Sequence, residues 1–161
     1  MRQITFASLV LASLAAPARA DADAFLSAVM FALRGSNNIK IQVVDRPNCV
    51  FSLTTESMDG KIVEETYHLN NIDVDRIKME QWHNSFSQWI QTELHGESVV
   101  YEWRLVKPGP PLPTSFQKFD LPSHTDSNST TLIIYSNELQ RLTRAWQYVY
   151  SHGCKGKKSP F

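Results

Sequence analysis

Residues 76–94 read RIKMEQWHNSFSQWIQTEL, and the fold turns on whether this stretch is helix or strand. Met79, Trp82, Phe86, Trp89 and Ile90 recur at helical spacing, while Phe86, Ile90 and Leu94 fit a two-residue alternation with Gln88 and Thr92 between them. Composition favours strand, because Trp82, His83, Asn84, Ser85, Phe86, Ser87 and Thr92 are middling or poor helix formers. The next run, SVVYEWRLV (98–106), places Val99, Tyr101, Trp103 and Leu105 on one face. A reversal at His95-Gly96 would set Ile90 against Tyr101 and Phe86 against Leu105, so the expectation is an antiparallel hairpin over 86–105.

Upstream, extended signals repeat. IKIQVVD (39–45) alternates Ile39, Ile41 and Val43 against Lys40 and Gln42, and after the break at Arg46-Pro47-Asn48 the run CVFSLTT (49–55) shares a face among Cys49, Phe51 and Leu53. Pro47 has no N–H to give a ladder, which separates the two runs. SMDGK (57–61) supplies a glycine-bearing turn into a third strand, IVEETYHL (62–69), and NNID (70–73) interrupts the chain before its next extended stretch. Asn70, Asn71, Asp73 and Asp75 are oxygen donors of the kind calcium takes, but the segment lacks the EF-hand glycine and its closing glutamate, so turn chemistry is their expected role.

Helices are expected at both ends. Asp23 can cap a helix over 24–34 that Gly35 stops, with Phe25, Val29, Ala32 and Leu33 as its buried stripe. Residues 107–129 form a proline-rich loop, in which PGPPLP fits either a plain linker or a polyproline contact. Asn128-Ser129-Thr130 matches the glycosylation sequon, although the bacterial character of the N-terminal leader argues against its use. A short strand over 132–135 precedes a helix capped by Ser136 or Asn137 and ended by Gly153. Leu139, Leu142, Ala145, Trp146, Val149 and Tyr150 form its apolar stripe, with Arg141, Arg144 and Gln147 turned away. The fold class is therefore α+β: a mostly antiparallel β meander or small barrel, with an N-terminal helix and a C-terminal amphipathic helix. The element order over 39–152 resembles that of pleckstrin-homology-like barrels, a likeness of arrangement without a diagnostic motif and without functional content.

Residues 1–20 have the three parts of a secretory signal peptide: Arg2 as the charged start, an apolar run over 4–16, and Ala18-Arg19-Ala20 as the cleavage signature. The apolar run is shorter than the about 20 residues a spanning helix needs. Cleavage after Ala20 is expected to leave one globular domain, 21–161, with no integral membrane segment, exported to the periplasm or the outside of a bacterial cell. Losing Arg2 and Arg19 from a chain with 16 basic and 16 acidic residues gives a net charge of about −2 with no block of one sign, which offers nothing to nucleic acid. Lys155, Lys157 and Lys158 read as a solvated, frayed tail.

Export sets the reading of Cys49 and Cys154, the chain's two cysteines. They lack C-x-x-C or Cys/His metal spacing, so one structural disulfide is the simplest account; two free thiols, intermolecular pairing, or a nucleophilic Cys154 near His152 are the alternatives. The bridge would close a loop of about 100 residues, stabilising the fold by about 4–5 kcal/mol in the chain-entropy account.

The chain has no G-x-S-x-G elbow, H-E-x-x-H, P-loop or dinucleotide-binding glycine pattern. His68, His83, His95, His124 and His152 are scattered without metal-ligand spacing, and Glu64 and Glu65 fall on opposite faces of a strand. No catalytic, metal or cofactor-binding residues are assigned. The expectation is a non-enzymatic exported binding or interaction domain for a protein or small-molecule partner, with Trp82, Trp89 and Trp103 as the first aromatics to examine. The alternative is a small secreted hydrolase assembled from dispersed histidines, Glu64, Glu65 and Glu80.

Overall fold

The computed structural model describes residues 16–35, 41–56, 60–107 and 124–158. Two helices and eight strands occur in the order α1 (Ala16–Arg34), β1 (Ile41–Asp45), β2 (Val50–Glu56), β3 (Ile62–His68), β4 (Lys78–His83), β5 (Gln88–His95), β6 (Tyr101–Lys107), β7 (His124–Ser127), β8 (Ser129–Ile134) and α2 (Leu139–His152). The class is α+β and every strand pairing is antiparallel, but the strands do not close into a barrel. They divide between a five-stranded sheet, β1-β2-β3-β6-β7, and a three-stranded sheet, β4-β5-β8.

The stretch 76–94 is strand, yet not in the expected hairpin. Its reversal is at Asn84–Ser87, where the Asn84 side-chain oxygen accepts from the backbone N–H groups of Phe86 and Ser87, each at 2.8 Å. Asn-Ser does this readily because a short polar side chain can stand in for a backbone turn acceptor. Trp82 consequently pairs with Trp89, and β5 takes β4 and β8 as neighbours rather than β6. Gly96 serves as a crossing point instead of a hairpin turn. It bridges to Ile72, and a Cβ there would stand 2.3 Å from the Asn71 carbonyl oxygen and 2.7 Å from Val100. Only a residue without a side chain fits where the chain passes from one sheet to the other.

Of the expected proline-rich loop over 107–129, the described residues at its two ends are mostly strand. Lys107 closes β6 and Ser129 opens β8, while His124–Ser127 is an edge strand on β6; residues 108–123, with the PGPPLP run, lie outside the described residues. The helix expected over 24–34 begins at Ala16, so Asp23 falls inside it and is not a cap. The residues before Ala16, with most of the expected leader, also lie outside the described residues. Gly35 ends α1, donating to the Phe31 carbonyl at 2.7 Å.

The C-terminal helix has Glu138, not Ser136 or Asn137, at its N-cap, and the Ser136 hydroxyl accepts from the Glu138 N–H at 3.0 Å. Leu142, Ala145, Trp146 and Val149 are buried, and Arg141, Arg144 and Gln147 face water. Gly153 ends the helix, with its ring neighbour Phe25 so close that a Cβ would lie 2.2 Å from the Phe25 Cε2. The tail beyond it is not frayed through Lys157: that residue donates to Ile72 O at 2.8 Å and accepts from Val74 N at 2.9 Å, although the lysine side chains are exposed.

One core joins the layers. Phe25, Val29, Ala32 and Leu33 from α1 meet Phe51, Leu53 and Tyr67 of the large sheet, Ile90, Leu94, Leu132 and Ile134 of the small sheet, and the α2 stripe. Cys49 and Cys154 form the disulfide at its base, both buried, with alpha carbons 5.5 Å apart, within the usual range for a bridge. Cys49 sits in the left-handed region (φ 53°), which a non-glycine residue occupies at some cost.

Candidate contact surface

The registers of the small sheet sort its residues into two faces. Toward the helices lie the rows Met79–Thr92–Leu132 and Gln81–Ile90–Ile134, closed over by α1 and α2 except at the β4 edge, where Gln81 is exposed and Met79 half-buried. Outward lie Trp82–Trp89, Glu80–Gln91–Ile133 and Lys78–Glu93–Thr131, and by the same alternation Tyr135 comes next, just past β8. Trp82 and Ile133 are each 47% exposed, Tyr135 78% and Phe86, at the hairpin tip, 97%. Trp89 is half-buried between them. A sheet face would ordinarily carry polar residues where it meets water, so an outward band of two tryptophans, a tyrosine and an isoleucine is the informative departure.

Trp103 does not join them. It lies on the helix-facing side of the large sheet beside Glu65, half-buried. There the Arg34 guanidinium pairs with Glu65, and the Tyr101 hydroxyl donates to the same carboxylate at 3.1 Å. Burial pushes the Tyr67 phenol up to about 12, with Arg34 opposing, and raises Tyr101 for the same first reason. The cluster pins the end of α1 to β3 and β6, a structural use for all four polar groups.

The other residues read from the sequence are spread over the molecule. Glu64 faces away from Glu65 and takes the Arg104 Nε–H at 3.1 Å, and Glu80 is exposed on the outer face of β4. His68 pairs with Glu102 on the outer face of the large sheet; His95 is 3.8 Å from Glu93 on the small one. His83 and His124 are exposed on β4 and β7, and His152 stacks on Tyr148 at the end of α2. Asp73 accepts from Asp75 N, Asn71 donates to Val99 O and Asn70 accepts from Lys155 N at 2.7 Å, which is turn and tail-anchoring chemistry. Among the described residues no three His, Cys, Asp or Glu side chains gather as a metal set, and no helix is long and apolar enough to cross a membrane.

Sequence reasoning named Trp82 and Trp89 but missed Ile133 and Tyr135. TLIIY reads as a continuous apolar strand, and only the register with β5 reveals that alternate members face water.

No family model matches the chain, no curated protein is similar to it, and no solved structure matches its fold.

Proposed function

We propose that this protein is an exported, non-enzymatic binding domain, stapled by the Cys49–Cys154 disulfide, that meets its partner through the outer face of β4-β5-β8. The observation that carries this reading is the exposure of Trp82, Ile133 and Tyr135 on a sheet whose opposite face is already packed against the core. Aromatic side chains supply large contact area with few rotatable bonds, and such residues are enriched where proteins bind. The disulfide supports the placement in an oxidising compartment, periplasmic or extracellular. The strand-then-helix ending shared with pleckstrin-homology-like folds stays an analogy of arrangement and adds nothing to the assignment.

Native recovery of the exported protein tests both halves. Intact mass should place its first residue at or near Asp21, and a soluble cytoplasmic product that keeps residues 1–20 would refute export. Exported protein should co-purify with a partner that a Trp82→Ser/Trp89→Ser double variant, folded and oxidised, loses. Equal recovery of the same partner by both would rule out this face.

A further inference from the structure

Strand β4 is an edge of the small sheet and, among the described residues, is paired with β5 alone. The edges of the large sheet carry devices that discourage strand addition: β1 has a register irregularity between Val43 and Asp45, and β7 spans His124–Ser127 only. In contrast β4 runs Lys78–His83 in unbroken register with β5, has no proline and is exposed along its length apart from half-buried Met79. Half of its backbone N–H and C=O groups point away from β5, as in any edge strand.

A trough runs along this edge on the helix side, between β4 and α2. Near its Gln81 end is a hollow of about 470 Å³ lined by Asn137, Glu138, Leu139, Gln140, Arg141 and Arg144, in which two guanidinium groups face one carboxylate. Near its Met79 end is a second hollow of about 270 Å³, lined chiefly by Ile77, Met79, Trp146 and Tyr150. Arg141 is engaged, pairing with Glu138 at 2.9 Å and lying over the Phe31 ring, whereas Arg144 is exposed and has no ion pair among the described residues. Residues two apart in a strand are separated by about 7 Å. That is the spacing of Met79 and Gln81, each of which lines one of the two hollows.

We propose that β4 and this trough together receive an extended segment of a partner protein by strand addition, carrying an acidic and an apolar side chain two residues apart. The backbone of the segment pairs with the free edge of β4. Its acidic side chain reaches Arg144 in the Gln81 hollow, its apolar side chain fills the Met79 hollow, and the intervening side chains point to the Trp82 side of the sheet. This rests on the binding-domain reading and names the partner chemistry for its exposed edge.

The test uses the mature full-length protein, labelled with nitrogen-15, and four acetylated and amidated heptapeptides. Two are Thr-Val-Glu-Val-Leu-Val-Thr and Thr-Val-Leu-Val-Glu-Val-Thr, which cover both strand directions, and two replace Glu by Lys. One of the glutamate peptides should bind saturably and slow amide exchange within 78–83 by at least about tenfold, with its lysine counterpart at least about tenfold weaker. Arg144→Glu should invert that preference while leaving the amide spectrum otherwise folded. Equal affinity for the paired peptides, no saturable binding up to millimolar concentration, or protection of 78–83 that rises with protein concentration alone would overturn the proposal. So would shifts confined to Trp82, Trp89 and Tyr135, a result that would leave the aromatic face standing as the contact surface.

Discussion

The two sheets solve the same problem differently. On its outer face the large sheet is dressed with polar side chains: Glu64 with Arg104, His68 with Glu102, and Thr66 and Asp126 on either side of Glu102 in one row across the strands. The small sheet, equally well packed on its inner face, turns Trp82, Trp89, Ile133 and Tyr135 to solvent. Since both obey the same two-residue alternation, folding alone does not require the difference. The large sheet is the scaffold, and the contact role proposed for the small sheet would account for the composition of its outer face.

The largest effect should come from the staple of the scaffold. Cys154→Ser, or reduction, is expected to lower stability by about 4–5 kcal/mol, because the bridge spans a sequence separation of 105. Urea unfolding with and without reductant measures it, and little change in the midpoint would mean that the unfolded chain is not constrained by the bridge. If the protein keeps its binding at low temperature after this change, the contact surface is independent of the staple.

Next is the direct contrast of inner and outer aromatics. Phe51→Ala in the large sheet removes a fully buried ring and should cost about 3–5 kcal/mol. Trp82→Ser on the exposed face should cost less than about 1 kcal/mol. Thermal or urea unfolding of both variants would collapse the distinction between the sheets if the two losses were similar.

A further effect, smaller than the loss of the staple or of the Phe51 ring, sharpens the comparison through pH. Tyr67 titrates at about 12 in the folded protein against 10.0 for a free phenol, chiefly because it is buried. The folded state therefore holds its proton after the unfolded chain has released it. The resulting stability is fully present below pH 10 and is lost as pH rises toward 12, by about 2–3 kcal/mol. Tyr67→Phe should lessen the fall of urea midpoints over that window, leaving the part due to the Tyr150 and Tyr101 phenols, which burial also raises. A slope left unchanged by the variant would assign the alkaline loss to other groups.

Much of the scaffold was legible because its strands alternate cleanly. Cys49, Phe51 and Leu53 are inward as the spacing implies, and Cys49 meets Cys154 beyond the helix that Gly153 ends. What misled was partner choice. Phe86 matches Ile90 and Leu94 in spacing, but the Asn84 side chain turns the chain before Phe86 can join their face, leaving it 97% exposed. The apolar faces of β5 and β6 both suit a core, and alternation cannot say that they belong to different sheets. Gly96 looked like a turn for the right composition and the wrong reason, since its role depends on Asn71 and Val100 approaching from elsewhere in the chain. The contact surface was half visible, as tryptophans whose exposure only the strand register determines.

The anchoring of the C-terminal segment bears on how the chain is made. Cys154 and Lys157 are bound to Cys49 and to the Ile72–Val74 backbone, so a growing chain reaches the bridge only once the sequence separation of 105 from Cys49 has been made. The core cannot be sealed before residues 154–157 are in place. Until Cys154 arrives, Cys49 lacks its partner beside an unfinished core, and the interval before closure is the period in which this chain is open to wrong pairing and to aggregation.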